Sequence, residues 1–287
     1  MSFSIVNNVA ALNAQNRLNQ TQQGLAKTVN RLSSGLRINS AADDASGLAI
    51  ADSLQADISA LSQAARNAND GASVIQVADG ALSQISTLLQ RAVTLAEQAA
   101  SDTSGAFGGS AKTSLNSEYQ DILREVNRIS DTTAFNGRTI FGAAGVSLKI
   151  QVGTGSTASD TITISTASLS ATGLGLNATG TGQTVATTAL NTDATAAQAE
   201  IASLKTAIDT ISTRRGTLGS ALNRLTATAA VVSTTSQNLQ AAESQIRDAD
   251  VAAEVVNLTK WQVLTQTGLA ALSQANASSQ SVLTLLK

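Results

Sequence analysis

The stretch IASLKTAIDTISTRRGTLGSALNRLTATAAVVSTTSQNLQAAESQI, residues 201–246, decides the fold. From Leu204 every seventh residue is apolar: Ile211, Leu218, Leu225, Val232, Leu239 and Ile246. A companion row, Ile201, Ile208, Arg215, Leu222, Ala229, Ser236 and Glu243, begins apolar and turns polar. Alternating steps of three and four put both rows on one side of a helix, and a strict seven-residue repeat winds that side slowly around the axis. At about 1.5 Å per residue the helix is roughly 68 Å long. It cannot bury its seam against itself, so it requires a partner.

Working outward, the partner lies upstream. Leu54, Leu61, Ala68, Ile75, Leu82, Leu89 and Ala96 repeat by sevens, with Ile58, Ala65, Ala72, Ala78, Ile85, Ala92 and Ala99 interleaved. Gly71 and Gly80 each cost about 1 kcal/mol against Ala inside a helix, yet the register continues past both. Between the two rods, residues 101–110 read as a turn, and Leu115, Ile122, Val126 and Ile129 mark a shorter helix. Asn136-Gly137 signals a tight turn. Val146, Leu148, Ile150 and Val152 alternate, as do Ile162 and Ile164, which predicts a hairpin around 153–160 with 138–141 as an added strand. Residues 165–195 are Thr, Ala, Gly and Ser with scattered Leu, and predict an exposed loop with little core of its own.

The ends are weaker. Over 1–36 Leu18, Leu25 and Leu32 recur by sevens with support from Leu12, Val29 and Leu36, but Asn8, Gln15 and Gln22 lie where a second apolar row belongs. So thin a stripe gains stability mainly from packing, which predicts disorder in the free chain and order on association. Ser33, Ser34 and Gly35 read as a helix stop, and Ser40, Asp43 and Asp44 as the start of the next helix. Arg247 to Asp250 marks a second joint, and the tail continues as a helix through Leu258, Trp261, Leu272, Val282 and Leu286. The resulting order predicts a mainly α fold of long antiparallel helical rods in a coiled-coil bundle, with a small β-hairpin excursion and paired N- and C-termini. Three regions follow: a terminal coiled-coil domain (1–42 with 247–287), a rod domain (43–135 with 191–246), and a hairpin with exposed loop (136–190).

Composition excludes more than it assigns. The chain has no Pro, Cys or His. Lacking Pro suits uninterrupted helices, and lacking His removes the usual general base and commonest metal ligand. No cofactor is implied. A formal net charge of −2 without a basic block argues against nucleic acid, no apolar run approaches a membrane span, and the first residues do not form a Sec-type signal peptide. Asp43-Asp44 is explained by a helix start rather than chemistry. Residues 105–109 lack the Lys and Ser/Thr of a phosphate loop. The heptads alone fit an intramolecular bundle or a dimeric coiled coil. The weakly stable apolar ends push further, toward self-association or a chaperone.

Several stretches carry a resemblance. VNRLSSGLRINSAADDASGLAIA (29–51), NANDGASVIQVADGAL (67–82) and TAFNG (133–137) resemble the N-terminal part of bacterial flagellin. IRDADVAAEV (246–255), AALSQANA (270–277) and VLTLLK (282–287) resemble its C-terminal part. The resemblance covers both ends and implies a non-enzymatic, secreted subunit that polymerises into an extracellular flagellar filament for motility. Implied with it are type III export, an export chaperone on the C-terminal helix, and filament cap and hook-junction proteins as partners. The short central segment looks like a minimal form of the family. Leu18, Leu25, Leu32, Leu258, Trp261, Leu272, Val282 and Leu286 are then the expected subunit-packing residues. The family's Toll-like immune-receptor patch maps onto QRAVTLA (90–96), giving Gln90, Arg91 and Leu95, with Asp121 on the next helix. A solvated or subunit-facing surface is the competing reading of that patch. Rival readings of the whole are a hook–filament junction protein and a non-flagellar dimeric coiled-coil binding module.

Overall fold

The computed structural model describes residues 8–101, 103, 105–106, 109–141, 145–176, 190 and 194–285, with side chains as far as residue 278 apart from Thr172. Among these the α-helices are α1 Val9–Ser34, α2 Ala45–Ala100, α3 Ser110–Thr132, α4 Ala194–Arg247 and α5 Val251–Leu285. The strands are β1 Ala134–Phe135, β2 Arg138–Thr139, β3 Val146–Gln151 and β4 Thr161–Thr166. Packing divides the chain into two compact units, Met1–Ile58 with Gln237–Lys287 and Ser59–Ser236. The division falls inside α2 and α4, not at the joints between helices.

In the second unit α2 and α4 run antiparallel. Arg215 of α4 meets Asp79 of α2 at 2.7 Å, and a side chain at Gly71 would touch Leu225. Leu204, Ile211, Leu218, Leu225 and Val232 are buried from α4, and Leu61, Ile75, Leu82, Ile85 and Leu89 from α2. Leu54 and Leu239, which belong to the other unit, are half-buried. The companion row decays at Arg215 because that position sits at the rim, where its guanidinium reaches an exposed carboxylate of the same chain. Helix α3 adds Tyr119, Ile122, Leu123 and Val126 to this core.

The β region closes the same core. Asn136 (φ 49°) and Gly137 (φ 75°) both take left-handed backbone, the geometry of a two-residue hairpin turn, and they join β1 to β2. The added strand therefore pairs with Ala134–Phe135 and not with the longer hairpin, while Ile140 and Phe141 beyond it are buried. β3 and β4 pair antiparallel from Val146↔Thr166 to Gln151↔Thr161. Ile150 lies over Gly71, where an added Cβ would come within 2.1 Å of its Cδ1. The glycine that weakens α2 is thus the seat of the hairpin.

One expectation for this region is overturned. Within 165–195, Leu169, Ala171, Leu174, Leu176 and Leu190 are buried in the main core. Two asparagines of α3 aim the segment: Asn127 Oδ1 accepts from Ala171 N–H at 2.7 Å, and Asn116 Oδ1 from Leu190 N–H at 3.2 Å. An irregular chain has no period, so its core residues leave no repeat to read. The rest of that stretch, 177–189 and 191–193, lies outside the described residues.

In the first unit α1 and α5 pack antiparallel along their length. Arg31 faces Glu254 at one end, and at the other Asn8 Nδ2 donates to the Ala275 carbonyl at 3.1 Å. The covered side of α1 is Leu18, Leu25 and Leu32 with Ala14, Thr21 and Thr28, whereas Gln15 and Gln22 are exposed. The second row expected at Asn8, Gln15 and Gln22 is therefore on the other flank of the leucines, and it is made of small residues. Those let the helices close up: Gly24 lies against the Trp261 ring and Gly268 against Leu18. With a partner in its own chain, Val9–Ser34 is helical in the single subunit, where the thin stripe alone suggested disorder. Gly35 (φ 72°) ends α1 and donates its N–H to the Arg31 carbonyl. Asp44, not Ser40, starts α2 by accepting the N–H groups of Ser46 and Gly47.

Candidate functional site: the open faces of the terminal helices

Helix α5 presents one stripe to α1: Glu254, Leu258, Trp261, Thr265, Gly268, Leu272 and Ala275, each buried or half-buried. Its other sides are apolar as well. Val251, Val255 and Leu269 share one flank, because steps of four and fourteen residues return to within about 40° on an α-helix. Val256 and Val263, one heptad apart, lie on another flank, and Val256 is 68% exposed. On α1, Val9, Leu12 and Val29 are likewise exposed. Exposed apolar flanks on a helix fit further neighbours, and α1 covers only one side of α5.

This changes the assignment of the packing residues. Leu18, Leu25, Leu32, Leu258, Trp261 and Leu272 lie on the facing sides of α1 and α5 and build the helix pair within the chain, Leu18 buried and the others half-buried. Val282 and Leu286 lie outside the side chains described. The more exposed apolar residues are the valines and leucines named above. Sequence reading passed over them because they fall off the heptad, although α5 carries apolar residues in every direction along its axis.

The patch expected at Gln90, Arg91, Leu95 and Asp121 is brought together only in part. Gln90 and Arg91 are exposed on α2, and Asp121 is exposed on α3. Leu95 must be removed from it: only 1% of the residue is exposed, because it packs into the core. Arg91 lies only about 40° from Leu95 around α2, at the border of the buried side, and its long side chain reaches out to Glu118 while the Leu95 side chain packs inward with Ala92 and Ala96. Arg91 holds Glu118 through two bonds of 2.7 and 2.9 Å, and Asp121 holds Arg124.

Among the described residues no reactive constellation competes with these surfaces. Asp44 is a helix cap, and the Gly47 N–H followed by the Ser46 hydroxyl lowers its pKa. Asp43 is lowered first by the Ser40 hydroxyl. A groove of about 560 Å³ between α2 and α3, lined by Val77, Gly80, Leu88 and Ile129 with Glu125 and Arg128 at its edge, brings no nucleophile and base together. Among the described residues no cluster of three or more acidic side chains could hold a metal, and no helix is long and apolar enough to cross a membrane. The most deeply buried polar pair is Tyr119 and Glu200. The phenol donates to the carboxylate, and burial, then the Glu200 charge, push the Tyr119 pKa far up.

Both ends of the chain match known families. Residues 5–146 match the family described as the bacterial flagellin N-terminal helical region, and residues 201–286 match the bacterial flagellin C-terminal helical region. The flagellin of Halalkalibacterium halodurans is 38% identical over 283 residues, covering 99% of each chain. That of Bacillus subtilis is 36% identical over 303 residues, again covering 99% of each. Among solved structures, the crystal structure of Bacillus cereus flagellin is similar over 62% of this chain and 94% of that one, at 30% identity and a TM-score of 0.46.

Proposed function

The chain belongs to the bacterial flagellin family, and from that premise we propose how this structural subunit is packed, delivered and met by its partners. Members of the family polymerise into the flagellar filament, an extracellular structure of motility, and are not enzymes. Neither a hook–filament junction protein nor a non-flagellar coiled-coil module is favoured by full-length matches to flagellins.

The observation that carries the packing proposal is that α5 exposes valines and leucines on flanks that α1 does not cover. In the filament the α1–α5 pair, residues 1–42 with 247–287, forms the inner tube and buries its open flanks against neighbouring pairs. Residues 43–135 with 191–246 form the next shell, and the hairpin and the segment after it pack on that core through Ile140, Ile162, Ile164, Leu169 and Leu190. Seeded polymerisation tests this: Val256→Asp and Val263→Asp, both outside the α1 contact, are expected to abolish elongation while the monomer keeps its helical circular dichroism. Normal elongation of both overturns it.

Delivery follows from the same surface. A subunit with so much open apolar helix needs cover before assembly, so an export chaperone sheathes the exposed flanks of α5. The chain leaves unfolded through the type III channel, and cap and hook-junction proteins meet it outside. Pull-down of wild-type chain but not Val256→Asp by the chaperone is the check on the sheathing. A Toll-like receptor patch reduces to Gln90, Arg91 and Asp121, supported by their exposure, and receptor signalling by Arg91→Ala tests it.

A further inference from the structure

In the first unit, two arginines at the joints are each shared between two carboxylates. Arg31, in the last turn of α1, sets Nη2 3.4 Å from Asp43 in the first joint and Nη1 3.5 Å from Glu254 in the first turn of α5. Arg247, the last residue of α4, sets Nη1 3.7 Å from Asp52 of α2 and 3.8 Å from Glu243 of its own helix. Between them the joints pair through backbone. Arg37 N–H donates to the Arg247 carbonyl at 2.6 Å, its guanidinium to the Ile246 carbonyl at 2.7 Å, and Ala249 N–H to the Gly35 carbonyl at 2.9 Å.

These ion pairs differ from the others in the protein. Arg91–Glu118 and Arg215–Asp79 are close but exposed, and such pairs contribute little. The Glu254 side chain keeps only 11% of its surface, and the arginines 32% and 23%. Asp43 and Glu243 keep 15% and 18%, while Asp52 is exposed at 63%; removing Arg31 therefore leaves two carboxylates largely out of water, and removing Glu254 leaves Arg31 with Asp43 alone, a local cost. Arg31 Nε, Arg247 Nε and Glu254 Oε2 have no hydrogen-bond partner among the described residues. Every separation exceeds the roughly 2.7–2.9 Å of a saturated charge-assisted bond. Apolar packing along α1 and α5 already joins those two helices. It does not fix the direction in which the pair leaves the joints, whereas charges shared among α1, α2, α4, α5 and the first joint do.

We propose that Arg31 and Arg247 are positioning residues for filament growth: they hold the α1–α5 pair in one direction on the bases of α2 and α4. Each arriving subunit then presents the open flanks of α5 to its neighbours without a search. The proposal rests on the reading of those flanks as subunit-facing.

The test elongates filament seeds with full-length chain, followed by electron microscopy and Trp261 fluorescence. Arg31→Gln and Glu254→Gln are expected to elongate at least tenfold more slowly while the melting of the Ser59–Ser236 core is unchanged, and the exchange Arg31→Glu with Glu254→Arg to recover at least half the rate when Asp43→Asn removes the carboxylate beside position 31. Raised salt should slow the unsubstituted chain and leave Arg31→Gln unaffected. Wild-type rates in both Gln variants, or an exchange no better than Arg31→Glu alone, overturn the proposal. Should the Gln variants melt early, the chain's lack of cysteine allows a second route. Leu36 and Asp248 pair across the joints, so Leu36→Cys with Asp248→Cys can be oxidised to lock them. Recovery of Arg31→Gln elongation on oxidation supports positioning, and no recovery refutes it. If instead the Val256→Asp and Val263→Asp subunits elongate normally while the Gln variants fail, the flank reading is wrong and the arginines matter for another reason, which also overturns the proposal.

Discussion

Three side-chain environments carry consequences that can be measured one residue at a time. Gly24 and Gly80 are both helical glycines with opposite surroundings. An added Cβ at Gly24 would fall 2.8 Å from two atoms of the Trp261 ring, whereas at Gly80 nothing lies within 4 Å. Gly24→Ala should cost about 1–3 kcal/mol of helix pairing through overpacking, read as a shift in the emission of the chain's single Trp and a loss of filament yield. Gly80→Ala should gain about 0.5–1 kcal/mol from backbone entropy and raise the melting temperature by a few degrees. Tyr119 is the third case, and its raised pKa sets a sign. Above the ordinary phenol value of 10.0 the unfolded chain loses a proton that the folded chain keeps, so stability falls as pH rises beyond that point. As Tyr119 is the chain's only tyrosine, phenolate absorbance should appear only on alkaline unfolding, and Tyr119→Phe should remove that pH dependence.

At the scale of elements, the segment after β4 has the least regular backbone and yet supplies core. Leu169 and Leu190 are fully buried. Leu169→Ala should therefore destabilise the second unit by about 2–5 kcal/mol, as for a deleted core leucine, and a surface loop would show almost no change in the denaturation midpoint. Helix α5 makes the contrary point. Its regular backbone was evident from the sequence, but which side met α1 was set by small residues, Thr21, Gly24 and Thr28 on one helix and Gly268 on the other. Hydrophobic spacing shows where a seam is. Closeness of approach is decided by what has no bulk, and that carries no apolar signature.

For the whole molecule, the terminal pair and the rod core have separable roles. Removing residues 1–35 or 255–287 should abolish filaments while a helical monomer remains, because the buried core of the second unit lies between Ser59 and Ser236. Sedimentation and circular dichroism check both halves of that statement, and polymerisation by either truncated chain would contradict it. The chain's open apolar surface lies mostly on the terminal helices, with Val77 and Val231 as the exposed valines of the second unit.

The sequence by itself determined the long helices, their antiparallel seam, the two joints, the hairpin and the membership in a self-assembling family. Each of these is written in local spacing: heptads, caps, an Asn-Gly turn, alternation by twos. Tertiary structure alone decided that Leu95 lies inside, that Leu169 and Leu190 join the core, and that the heptad leucines of the two ends face each other within the chain. It also brought Arg31 to Glu254 across more than two hundred residues of sequence. Such facts depend on which surfaces meet, and a one-dimensional period records a residue's side of its own helix without recording what that side will touch.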